Sequence, residues 1–148
     1  MNTIIEGDFM DAVELLTRLE NINACIKNTS EDIADMKNVA YGLSGRKTEE
    51  KVQTTANPHK MENAIVKYIN IEENELEALL QERKHIIDTL KRLNTKHYDF
   101  LHKRYVMGLG LEDIANEEGY SYAWASTTHC RAKESLQKLL NEREHNGT

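Results

Sequence analysis

Apolar residues at alternating steps of three and four dominate the first part of the chain. Ala12, Leu15, Leu19, Ile22, Ile26, Thr29, Ile33, Met36, Ala40 and Leu43 form one unbroken series in which Thr29 is the single polar member. A repeat of about 3.5 residues keeps each side chain on the facing surface of a helix pair, so the spacing predicts a long helix with a coiled-coil seam. Asp8 is its candidate N-cap. The local sequence Asn28, Thr29, Ser30, Glu31 offers an alternative stop and restart, which the preserved phase disfavours. The pattern ends at Ser44. From there to Asn57 only Val52 and Ala56 are apolar, and the segment is longer than an ordinary link between helices. It reads either as a disordered connection, which its composition favours, or as a segment with a contact of its own.

Asn57 and Pro58 restart a helix, because Asn is a preferred N-cap and Pro at the first helical position gives up only an N–H that lacks a helical partner anyway. The second helix is expected from Pro58 to about Leu93. Ile69, Leu76, Leu79, Ile86, Leu90 and Leu93 lie on its seam, Glu72 and Arg83 interrupt the seam, and Leu80 and Ile87 widen it. Such a stripe exceeds what one antiparallel partner covers. Leu76, Leu79, Leu80, Ile86, Ile87 and Leu90 are therefore the candidate oligomerisation residues, and a homodimer is expected.

Three shorter elements follow. Asn94 or Thr95 caps a helix over residues 96 to 107, with Tyr98, Leu101, Tyr105 and Val106 on one side, and Gly108 and Gly110 end it. Leu111 to Glu118 is a second short helix closed by Gly119. Ser121 caps the last helix, whose inward residues are Ala125, Thr128, Ala132, Leu136 and Leu139. Helix, glycine-containing turn and helix make a helix-turn-helix signature. The expected fold is all-α: a long antiparallel, coiled-coil-like helical hairpin over residues 1–93, for oligomerisation, followed by a trihelical helix-turn-helix module over residues 94–148.

Composition narrows the function. One proline and seven glycines in 148 residues are too few for the turns of an all-β fold. Lys and Arg number 19 against 25 Asp and Glu, so the net charge of −6 leaves no general footprint for nucleic acid or for an anionic membrane. Any DNA contact must be local. No apolar run is long enough for a spanning helix and no leader is evident, so a soluble, cytoplasmic protein is expected. Cys25 and Cys130 show no CxxC or Cys/His spacing and read as reduced thiols. His59, His85, His97, His102, His129 and His145 show no ligand pairing, and His129 reads as a packing or phosphate-side residue. No phosphate loop or nucleophile constellation is present. The expectation is a non-enzymatic protein without cofactor or metal.

Residues 98–140 carry a resemblance. Leu101, Arg104, Tyr105, Gly108, Leu111, Glu112, Ile114, Ala115, Gly119, Ser121, Arg131, Ala132 and Leu136 make this stretch similar to region 4 of sigma-70-type factors. The helical segment upstream resembles that of late-gene transcription activators of the ArpU and RinA type from phages of Gram-positive bacteria, and the two likenesses together cover roughly residues 50–140. The resemblance implies a phage-type regulator of transcription that binds double-stranded DNA and works with RNA polymerase or another host complex. It places Tyr122, Ala123, Trp124, Ser126 and Thr127 toward the major groove, and Arg131, Lys133, Lys103 and Arg104 toward phosphate.

The residues themselves qualify that picture. Groove-facing sites more often carry Arg, Glu or Gln, whose paired hydrogen bonds tell bases apart. Residues 94–148 also hold seven Lys or Arg against eight Asp or Glu. Trp124 between Ala123 and Ala125 looks like an anchor for a protein surface. The alternative function is accordingly a non-catalytic antagonist, anti-CRISPR-like, that inhibits a host polymerase or a nucleic-acid-guided defence nuclease through a repurposed helix-turn-helix.

Overall fold

Asp11 and Glu14 start the first helix by satisfying each other. The Asp11 carboxylate accepts from the Glu14 N–H at 2.8 Å and the Glu14 carboxylate accepts from the Asp11 N–H at 3.1 Å. This is a reciprocal capping box, which pairs two N–H groups that the helix leaves without partners. The computed structural model describes residues 11–46 and 58–146, so the expected cap Asp8 lies outside the described residues. Helix α1 spans Ala12–Arg46 without a break at Asn28 to Glu31. Ser44, Gly45 and Arg46 belong to it, so the expected connection begins later than Ser44, and its residues 47–57 lie outside the described ones.

Helix α2 spans Pro58–Leu90, three residues short of the expected end. The chain leaves it through tight turns in which Arg92 N–H donates to the Thr89 carbonyl and Leu93 N–H to the Leu90 carbonyl. Asn94 then adopts an extended conformation with ψ 160°, which no helix can continue, and its side chain accepts from His97 N–H at 2.9 Å to cap α3, Thr95–Leu101. A π-helical stretch, His102–Val106, extends α3. Helix α4 is Leu111–Glu118 and α5 is Tyr122–Asn146. The protein is all-α, a packed pair of long helices followed by shorter ones, and no strand occurs among the described residues. No described helix is long and apolar enough to cross a membrane.

The chain divides into two compact units, one from Ala24 to Glu82 and one combining the residues up to Asn23 with those from Arg83 onward. The expected division at residues 93 and 94 followed helix ends; packing instead groups the base of α1 and α2 with the short helices. In the first unit Ile33 and Ile69 are buried, the Tyr68 hydroxyl donates to Asp32 at 2.6 Å, and Lys37 pairs with Glu73 at 3.1 Å. Exposed pairs of this kind contribute about 0–1 kcal/mol, so the apolar seam does most of the holding.

The second unit is built around fully buried Leu16, Leu19, Ile22, Leu90, Leu101, Ile114 and Leu136. Leu16, not the expected Leu15, is the buried residue of its turn. The reason is a second neighbour at the base of α1, where the Ala12 N–H donates to the Gln137 side chain of α5 at 2.8 Å. Two of the oligomerisation residues are corrected in the same way. Ile86 is 2% exposed and Leu90 0%, so both serve the core of their own unit. Leu76, Leu79 and Ile87 are half-buried, and Leu80 is the open one of the six.

Glycines set the turns around α4. Gly108 and Gly119 have φ of 76°, whereas Gly110, expected to end a helix, is extended with φ −77° and stands at the N-cap of α4. At Gly119 the Tyr120 N–H reaches back to the Ala115 carbonyl at 2.9 Å and the Gly119 N–H to that of Asn116 at 3.3 Å, a Schellman closure. A Cβ at Gly119 meets nothing within 4 Å, so the cost of a side chain is conformational alone. Gly119→Ala is expected to destabilise the protein by about 1–2 kcal/mol, the penalty of a left-handed non-glycine residue. Urea unfolding of the two proteins reads this directly, and equal midpoints would contradict it.

Candidate functional site

Ser121 directs the last helix. Its hydroxyl accepts from the Trp124 N–H at 3.1 Å, which caps α5 immediately after the Gly119 turn. Ala125, Thr128, Ala132 and Leu136 are buried, as the spacing predicts, and Leu139 is half-buried. Phe100, absent from the expected inward set, is also buried and joins Ile114, Ala115 and Ala125 in one apolar cluster. Small residues on α5 suit this arrangement, because the ring of Phe100 needs the space that a branched aliphatic at Ala125 would fill.

The sequence-derived site residues separate into three groups. Tyr122, Ala123, Thr127 and Arg131 are exposed on α5, Ser126 and Lys133 are half-buried, and Cys130 and Glu134 lie in the same open row. Trp124 packs back onto the module: its ring meets Phe100 edge-on at 5.9 Å and stacks with Tyr120 at 4.5 Å. The third group is the pair of cations before α4. Lys103 lies 2.6 Å from Glu118 and 3.0 Å from Glu117, and Arg104 lies 3.5 Å from Glu20 and over the ring of Tyr105. Hydrogen bonds to Glu118, then to Glu117, push the Lys103 ammonium above its ordinary value. Both cations thus face acids of their own fold.

The electrostatics of α4 are one-sided. Its exposed residues are Glu112, Asp113, Asn116, Glu117 and Glu118, with no cation among them. The preceding helix in a helix-turn-helix ordinarily approaches the DNA backbone, where carboxylates repel phosphate. Arg131 is the exposed cation among the residues expected at DNA.

Behind α5 lies a polar relay that sequence reasoning missed. Arg83 Nε donates to the Asn23 side chain at 2.8 Å, and Asn23 Nδ2 donates to the Tyr105 carbonyl at 3.1 Å. The Tyr105 hydroxyl lies 2.8 Å from His129 Nε2, and the His129 ring stacks on Phe100 at 6.0 Å. Arg83 had a visible signal, as a charge interrupting an apolar seam. Burial first, then the nearby charges of Lys133 and Arg104, lower the His129 pKa to about 4. The neutral ring accepts the Tyr105 proton with Nε2, which identifies His129 as a packing residue on the inner side of α5.

That depressed pKa has a sign. Between about pH 6.5, where a free His titrates, and about 4, where His129 does, the unfolded chain binds the proton and the folded chain does not. His129 therefore withdraws stability as pH falls through this window, and leaves stability unchanged above it. Melting followed from pH 7 to pH 4 is expected to decline less steeply in His129→Gln than in the parent. Parallel declines would remove His129 as a contributor.

No group of acids, histidines and cysteines among the described residues is placed to hold a metal ion. No protein-family model, curated protein or solved structure matches the chain.

Proposed function

We propose that the protein is a phage-type transcriptional regulator that contacts promoter DNA through α5, acting with RNA polymerase. The observation that supports this reading most is the α4–turn–α5 arrangement, in which a glycine with φ 76° and the Ser121 cap present Tyr122, Ala123, Thr127 and Arg131 on the open side of the last helix. This is the geometry by which a helix enters the major groove. With Lys103 held by two carboxylates, few cations release counterions, so isolated modules bind weakly and gain from pairing or from polymerase. A homodimer through the long helices supplies such pairing. Selection from a random duplex pool, followed by footprinting at several salt concentrations, tests the reading. A defined protected site with a shallow salt slope is expected. Failure to enrich any sequence, with and without polymerase, would sink it.

A second reading has its own support. The acidic exposed side of α4 and the packed Tyr120–Trp124 pair suit a protein surface better than a phosphate backbone. On that reading the chain is a non-catalytic antagonist of a host protein complex, and a stoichiometric partner that survives nuclease treatment is the expected result.

A further inference from the structure

A cleft of about 180 Å³ opens among α3, α4 and the start of α5. Three rings wall it. Tyr120 and Trp124 are stacked at 4.5 Å with 26° between their planes, and Phe100 stands edge-on to Trp124. Buried Ile114 and Thr128 complete the apolar part. The polar part is dominated by acids: Glu118 lines the cleft, Glu117 shares the Lys103 ammonium with it, and Asp99 lines the α3 side. Around this opening, counting the exposed acids of α4 with Asp99, carboxylates outnumber the two cations Lys96 and Lys103.

Two independent features therefore favour a cation that has a flat apolar body. Aromatic faces attract cations through the ring quadrupole, and the attraction strengthens as water is excluded. The carboxylate pair already holds a cation, namely the chain's own Lys103, with Nζ to oxygen distances of 2.6 and 3.0 Å. A guanidinium fits both features better than an ammonium. It is planar, more weakly hydrated, able to stack on a ring, and able to direct several donors to carboxylates at once.

We propose that this cleft is a docking site for an arginine side chain of a protein partner, whose guanidinium stacks on the Tyr120–Trp124 rings and takes the Glu117 and Glu118 carboxylates from Lys103. This goes beyond DNA contact by α5 and stands whether or not that contact is made. A nucleic acid is the wrong occupant, because its phosphates would meet the acids of α4. A purely apolar side chain would leave those acids unused.

The experiment uses the full chain and its single tryptophan, Trp124, as the reporter. The protein is titrated with acetyl-Gly-Arg-Gly-amide, with the Lys and Gln analogues, and with a short DNA duplex. A saturable change in Trp124 emission is expected with the Arg peptide, with affinity falling about tenfold for the Gln analogue. Glu118→Gln is expected to weaken the Arg peptide, and Glu117→Gln serves for the same readout should Glu118→Gln lose the melting transition. Lys103→Met is expected to tighten it about threefold or more, because the competing internal cation is gone. Absence of saturable binding by the Arg peptide, equal binding of the Gln analogue, or weaker binding by Lys103→Met would overturn the proposal. So would a duplex that changes Trp124 emission and competes with the peptide.

Discussion

Ile86→Asp is expected to unfold the unit that carries the short helices, and not simply to release folded monomers. The side chain is 2% exposed, among residues of its own chain. An unpaired charge buried there costs about 3–5 kcal/mol, in addition to the lost apolar burial. Against a total stability of about 5–15 kcal/mol, that is most or all of what holds a domain together. Leu80→Asp is the control. Leu80 is 46% exposed on the same helix, so the change is expected to move stability by no more than about 0.5 kcal/mol. If the long helices form a homodimer through this open face, Leu80→Asp gives folded monomers. Circular dichroism and sedimentation velocity on both variants separate the two roles. Folded, monomeric Ile86→Asp would place Ile86 at a subunit interface and contradict its assignment to the core.

The second large effect is a contrast at α5. Under the regulator reading, Arg131→Ala weakens binding to every duplex and flattens the salt slope by about one phosphate contact, while Thr127→Ala relaxes preference at individual base pairs. Under the antagonist reading, Trp124→Ala dominates, with a loss of about 2 kcal/mol or more in partner affinity, the usual cost of truncating a buried aromatic anchor. Trp124 also packs on Phe100 and Tyr120, so its removal lowers stability as well. Affinities are therefore compared at a temperature where melting shows each variant folded. Full DNA binding by Arg131→Ala beside lost partner binding by Trp124→Ala would overturn the regulator reading.

The legible parts of the fold are those encoded within one element. The phase of Leu19, Ile22, Ile26 and Ile33 carries α1 through a region that contains cap-like residues, and Gly119 with Ser121 places the turn before α5. What escaped depends on distant partners. Leu16 replaces Leu15 because α5 lies beside the base of α1, which no heptad count reveals. Ile86 and Leu90 read as surplus apolar surface only while the short helices are left out of the packing. At the candidate site, the exposed positions of α5 were readable from its inward period. The commitment of Lys103 was not, since Glu117 and Glu118 reach it only after the chain has turned at Gly108. Trp124 shows the same limit, because its aromatic partners lie on α3 and in the turn before α5.

The π-helical stretch carries a consequence for how this segment can vary. Met107 N–H reaches back five residues to the His102 carbonyl at 3.0 Å, and the Tyr105 carbonyl is taken by Asn23. Each residue of an α-helix advances the chain by about 100° around the axis. Deleting one residue between His102 and Val106 would let the backbone relax into an ordinary α-helix, yet it would swing Gly108 and all that follows by about that angle. Lys103 would turn away from Glu117 and Glu118, and the Tyr105 hydroxyl from His129. Substitutions that keep the side-chain character are tolerated here, whereas a change in length is not. Among relatives of this chain, this stretch should accept replacements freely and gaps hardly at all.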